Sequence, residues 1–135
     1  MATRTPLSTK RVLYSDFHMD FLQNPVSLDL AKNTNEEAVK QSIRNLLLTD
    51  KGERPFQPNL GSNLRSLLFE NLMPDTIIVA KEMVKETIEN YEPRANLIGV
   101  DIIAQDDHTI AVVIVFNVIN SEDDITLVTT LTRVR

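Results

Sequence analysis

The chain has 135 residues, 42% of them hydrophobic, and sets 14 Lys and Arg against 19 Asp and Glu for a formal net charge of -5. That size and apolar content suit one domain around one core and exclude a disordered chain, while the acidic balance argues against a nucleic-acid partner, which needs a basic face to displace counterions. With no cysteine there is neither disulfide nor thiolate metal site. No apolar run approaches the roughly 18 residues of a membrane helix and the N-terminus has no signal-like apolar stretch, so the expectation is assembly in a cytoplasm without membrane contact.

Residues 1–11 are polar, include Pro6 and carry Arg4, Lys10 and Arg11. They read as an arm that is flexible, or ordered only when a partner holds it. From Val12 to Leu30 scattered apolar residues around Pro25 predict short extended pieces. A helix is predicted from about Glu36 to Thr49. Thr34 or Asn35 can cap it, Glu36 and Glu37 suit its positive end, and Val39, Ile43, Leu46 and Leu47 form one apolar stripe. Lys51-Gly52 is the expected stop, since Gly accepts positive φ without steric cost.

Two prolines and two glycines then fix an irregular loop through "KGERPFQPNLGS". A short helix follows from about Asn63 to Glu70, capped by Ser62 or Asn63, with Leu64, Leu67 and Leu68 inward. A third helix runs from Asp75 to Tyr91, with Pro74 in its first turn. Its stripe is Ile77, Val84, Ile88 and Tyr91, helped by Ala80 and Ile78. Lys81, Lys85, Glu82, Glu86 and Glu89 occupy a solvated face. Pro93 ends it by disfavouring the α region at Glu92.

Three strands follow: Leu97 to Gln105, Thr109 to Asn120 and Ile125 to Val134. The middle one is apolar on both faces, as in a central or doubly covered strand. The last carries Thr126, Thr129, Thr130 and Thr132 and is placed at a sheet edge with unpaired backbone groups. The fold class is therefore α+β: helices packed on a small, mainly antiparallel C-terminal sheet with an open edge, all in one domain over residues 1–135.

Few residues could do chemistry. Glu53 and Glu92 could be imagined as a glycosidase pair. Each has an Arg close by, Arg54 and Arg94, and a neighbouring guanidinium lowers a carboxyl pKa, which suits a salt bridge better than a general acid. There is no Trp, and aromatics are 5%, so a sugar-stacking cleft is poorly supplied. His18 with Asp16 and Asp20 could form a weak metal site on a strand face, but an exposed polar face is the simpler reading. His108 in "DDH" reads as a turn residue. "GERPFQPNLGS" lacks the Lys-Ser/Thr of a P-loop, and the acidic turns at 106–107 and 122–124 lack a complete calcium pattern. No enzyme activity, cofactor or metal is expected.

The stretch "EEAVKQSIRNLLLTDKGERPFQPNLGSNLRSLLFE" (36–70), with "YSDF" (14–17) before it and "YEPR" (91–94) and three strands after it, resembles the phage baseplate wedge family that initiates the tail sheath. This is the gene-product-twenty-five-like family, formerly labelled lysozyme-like and related to a type VI secretion baseplate subunit. The ordered set of motifs carries the resemblance; residues 1–12 contribute nothing to it.

The resemblance implies a structural virion protein of a contractile tail. It implies that Glu92, Pro93 and Arg94 bind the helical core bundle of the wedge. The last strand is then expected to accept strands from sheath subunits, with Ile125, Leu127, Val128 and Leu131 setting the register. Glu53 and Arg54 are candidates to support the corner. Expected partners are wedge proteins, the sheath protein and other hub or tube proteins. The competing readings are that Arg94 pairs internally, with Glu92 or Glu53, and that the last strand only completes its own sheet.

Overall fold

The computed structural model describes residues 11–70, 73–106, 109–121 and 123–133. Residues 1–10, with most of the expected arm, His108 and Val134 lie outside them. The elements run β1 (Ser15–Phe17), β2 (Lys32–Thr34), α1 (Glu36–Leu48), α2 (Leu64–Leu67), α3 (Pro74–Tyr91), β3 (Ala95–Asp106), β4 (Thr109–Val118) and β5 (Asp124–Thr132). β1 and β2 pair antiparallel as a small sheet, and β3-β4-β5 form the second, also antiparallel.

Periodicity predicts the helices well because it is burial that selects it. Val39, Ile43, Leu46 and Leu47 of α1 are all buried, as are Leu64, Leu67 and Leu68 around α2. In α3 Ala80, Val84 and Ile88 are buried, with Ile77 at the margin of the core. Ile78 departs from the expectation at 65% exposed: one residue on from Ile77 is about 100° around the helix. Tyr91 lies at the rim, where its hydroxyl donates to the Asn59 carbonyl at 2.8 Å. The stripe position between Ala80 and Ile88 that sequence reading passed over is Thr87, buried, with its hydroxyl donating to Met83 O at 2.7 Å.

The end of α1 is set differently from expectation. Thr49 is already extended (φ -88, ψ 127), and Gly52, at φ +89, serves the following loop, where its N–H donates to Pro58 O at 2.8 Å. The last carbonyls of a helix have no intrahelical partner. Here Ser62 supplies one from the far end of the loop: its hydroxyl donates to Leu47 O at 2.8 Å and its N–H to Thr49 O at 3.0 Å. No side-chain cap is made by Asn35 or Asn63. The Asn35 side chain instead accepts from Leu13 N and Tyr14 N and donates to Arg11 O.

β4 is central. Its Ile110, Val112, Ile114, Phe116 and Val118 face the helices and complete the core with Ile102 of β3 and Ile125, Leu127 and Leu131 of β5. Its second face carries Ala111, Val113 and Val115, beside the exposed Ile103 and Val128. β5 alternates strictly between exposed and buried. Thr129 is therefore inside, and Thr126, Thr130 and Thr132 outside, which leaves the outer face mostly polar.

Candidate functional site

The corner between α3 and β3 is built by three elements. Pro93 stops α3, and the turn is closed by Ala95 N–H on Glu92 O (3.1 Å) and by Ile119 N–H on Arg94 O (3.0 Å). Pro93 is exposed. The Glu92 side chain is only 2% exposed and Arg94 33%. Arg94 Nε donates to Oε1 at 2.6 Å and Nη2 to Oε2 at 2.8 Å, a fork-to-fork pair that a Lys could not reproduce. The guanidinium lies 5.6 Å from the Tyr14 ring centroid, within reach of a cation–π attraction.

Burial alone would raise the Glu92 carboxyl. The hydrogen bonds from Arg94 and Ser42, the Arg94 charge and the Arg94 N–H together outweigh it and hold the pKa below the ordinary 4.5. The hydrogen bond to Glu92 raises Arg94 in return, against burial, with help from Asp16 and Tyr14. A carboxyl depressed on folding contributes stability that is present above its unfolded value and lost as pH falls through its folded value. Thermal stability is therefore expected to decline as pH drops below 4.5, and a Glu92→Gln variant is expected to lose this part of the decline. Parallel melting curves of the two proteins against pH check it; identical pH slopes would mean that the pair is not linked to folding.

Ser42 and Tyr14 are the site residues that sequence reading missed. The signal for Ser42 was present: it occupies a polar position beside Ile43 on the edge of the α1 stripe. Glu53 and Arg54 are exposed. The Glu53 carboxylate accepts the Asp50 N–H at 3.0 Å, while the carboxylate that Arg94 takes is Glu92. An ionised, buried carboxylate saturated by donors is a poor general acid, which counts against the glycosidase reading. His18 faces Asp20 (3.7 Å), and among the described residues no group of three or more His, Cys, Asp or Glu could hold a metal ion.

The other candidate surface is the sheet edge. Ile125, Leu127 and Leu131 point into this chain's own core, and Val128 points to the opposite face. The four do not line one side of the strand. β5 keeps an unbroken antiparallel register with β4 from Thr132–Thr109 to Asp124–Asn117. β3, the other edge, breaks register between Leu97 and Gly99 and again between Ala104 and Asp106.

Known proteins resemble this chain in sequence and in fold. The family model described as "Baseplate wedge protein gp25" matches residues 33–123. The chain is 35% identical over 114 residues to baseplate wedge protein gp25 of Enterobacteria phage T4, covering 84% of this chain and 86% of that one. A candidate tail lysozyme of Geobacter sulfurreducens superposes with a TM-score of 0.67 at 25% identity, over 74% of this chain and 92% of that one. A chain of the anti-feeding prophage baseplate shares the fold, with a TM-score of 0.62 at 22% identity over 88% and 85% of the two chains. Matched by the family model over residues 33–123 and 35% identical to a member over 84% of its length, this chain belongs to the baseplate wedge protein gp25 family of structural baseplate subunits.

Proposed function

We propose that this subunit attaches to the core of a contractile-tail baseplate wedge through Glu92, Pro93 and Arg94, and starts the tail sheath by accepting extended strands from the first sheath ring along β5. The observation that carries the second part is the contrast between the two sheet edges. Bulges turn an edge away from pairing, as on β3, whereas a regular edge offers its N–H and C=O groups to an added strand. Of the two edges of this sheet, β5 is the one that stays regular, over its nine residues. Main-chain bonds would give the affinity. Alternate side chains of the incoming strand would continue either the inner layer of Ile125, Leu127 and Leu131 or the outer row of Thr126, Val128 and Thr130.

The corner supports the first part. The ion pair, whose carboxylate Ser42 also holds, immobilises Arg94, and the exposed Pro93, with φ held at about -65°, presents a stiff corner whose ordering entropy is already spent before a partner arrives. The role is one of assembly without catalysis, in the virion's tail baseplate after assembly in the host cytoplasm. Its neighbours are wedge, sheath and hub or tube proteins.

Hydrogen exchange of the purified chain with and without sheath protein tests the strand reading. β5 amides are expected to be slowed by sheath protein while β3 amides are unchanged. Equal exchange of β5 in both samples would sink it.

A further inference from the structure

The connection between β1 and β2 is firmly held, yet it offers apolar side chains to water. Gln41 of α1 brackets it with three bonds: Nε2 donates to Phe17 O (2.7 Å), and Oε1 accepts from Met19 N (3.1 Å) and Asn33 Nδ2 (2.6 Å). At the tip Asn24 Oδ1 accepts from Val26 N (2.9 Å) and Ser27 N (3.3 Å), and Gln23 Nε2 donates to Leu28 O (2.9 Å). On this frame Phe17, Met19, Phe21, Leu22, Val26 and Leu28 are each more than half exposed, Val26 at 91%. Phe21 and Leu28 stand at φ +51 and +57, a region that bulky side chains avoid and occupy only where the surroundings hold them. Six of this chain's exposed large apolar side chains thus fall within one segment of twenty residues, and apolar surface concentrated in this way marks an interaction site.

Two features indicate what covers them. The base of the segment is continuous with the corner, because Tyr14 lies against the Arg94 guanidinium and the Asp16 charge acts on it. A partner seated on Pro93 and Arg94 therefore meets the base of the segment at Tyr14 and Asp16. The charges on it are Asp16, Asp20 and Asp29 against Lys32 alone, so the complementary surface is apolar with a basic rim.

We propose that the hairpin Ser15–Thr34 is a second grip on the wedge subunit that takes the corner, docking its apolar side chains on an apolar, basic-rimmed surface of that same protein. The proposal rests on the corner being a wedge contact, and the test separates the two. A photo-crosslinking residue is placed in the full chain at Phe21 or at Pro93, and each form is co-expressed with the wedge subunits of its own baseplate. Cross-links from both positions to one wedge subunit support the proposal. A cross-link from Pro93 without one from Phe21 overturns the hairpin grip and leaves the corner standing. No cross-link from Pro93 overturns the corner reading and the proposal with it. A Phe21 cross-link to a second copy of this chain overturns the proposal in favour of self-association. The Phe17→Ser/Phe21→Ser variant is expected to bind the wedge subunit about 100-fold more weakly, two tenfold steps for two anchoring side chains. Its melting temperature should match the parent, since both side chains are exposed; unchanged affinity would overturn the hairpin grip.

Discussion

Arg94→Ala is expected to destabilise the fold by about 2–3 kcal/mol and to lower the melting temperature accordingly. Removing one partner of a buried ion pair costs about 3–5 kcal/mol, because the other charge stays behind. Here the cost falls to the lower end of that range or below it, since Arg94 is a third exposed and water can take part of its place. Glu92 would keep only Ser42 and the backbone N–H at position 94. Loss of wedge assembly by Arg94→Ala would therefore mix a missing contact with a weakened corner. A Glu92→Gln/Arg94→Leu pair, which leaves no buried charge, is expected to recover most of the stability, and it is the cleaner background for a wedge-binding assay. Urea titration of the three proteins decides the matter; wild-type stability in Arg94→Ala would show that Glu92 does not depend on its partner.

Gly61→Ala is expected to cost about 3 kcal/mol or more. Gly61 has φ +113, and an added Cβ would collide with the backbone carbonyl of Thr49, whose carbon lies 2.9 Å from the Cβ position. That carbonyl is the acceptor of Ser62 N–H. Relieving the collision pulls Ser62 off the Leu47 and Thr49 carbonyls and moves Gly61 O away from the Thr87 hydroxyl, 3.4 Å distant. Gly52 supplies the control. Its φ is +89, but nothing lies within 4 Å of a Cβ there, so Gly52→Ala pays only for the backbone conformation, about 1–2 kcal/mol. Equal losses at the two glycines would show that the Gly61 packing contributes nothing beyond its dihedral.

Much of this protein is written in short-range pattern. The stripe of Val39, Ile43, Leu46 and Leu47, Pro74 at the start of α3 and Pro93 after its end, and the three β-branched runs each decide a local choice with no help from distant residues. The ordered motifs around Gly-Glu-Arg and Glu-Pro-Arg likewise carry the family. The inside–outside alternation of β5 was legible too, since parity alone separates Thr129 from Thr126, Thr130 and Thr132.

What only the tertiary structure decided is every choice among locally equivalent partners. Arg94 could reach Glu92 or Glu53; Glu92 wins because α1 brings Ser42 to the same carboxylate and the start of the hairpin, with the residue before it, brings Asp16 and Tyr14 to the guanidinium. Gly61 and Ser62 close the end of α1 across a loop, Gln41 fixes a hairpin that precedes it in sequence, and bulges on β3 leave β5 as the regular edge. Periodicity reports whether a residue faces core or water, because that contrast repeats every 3.6 or 2 residues. It carries no information about which distant group arrives opposite, since that depends on loop closure and on the packing of the whole core.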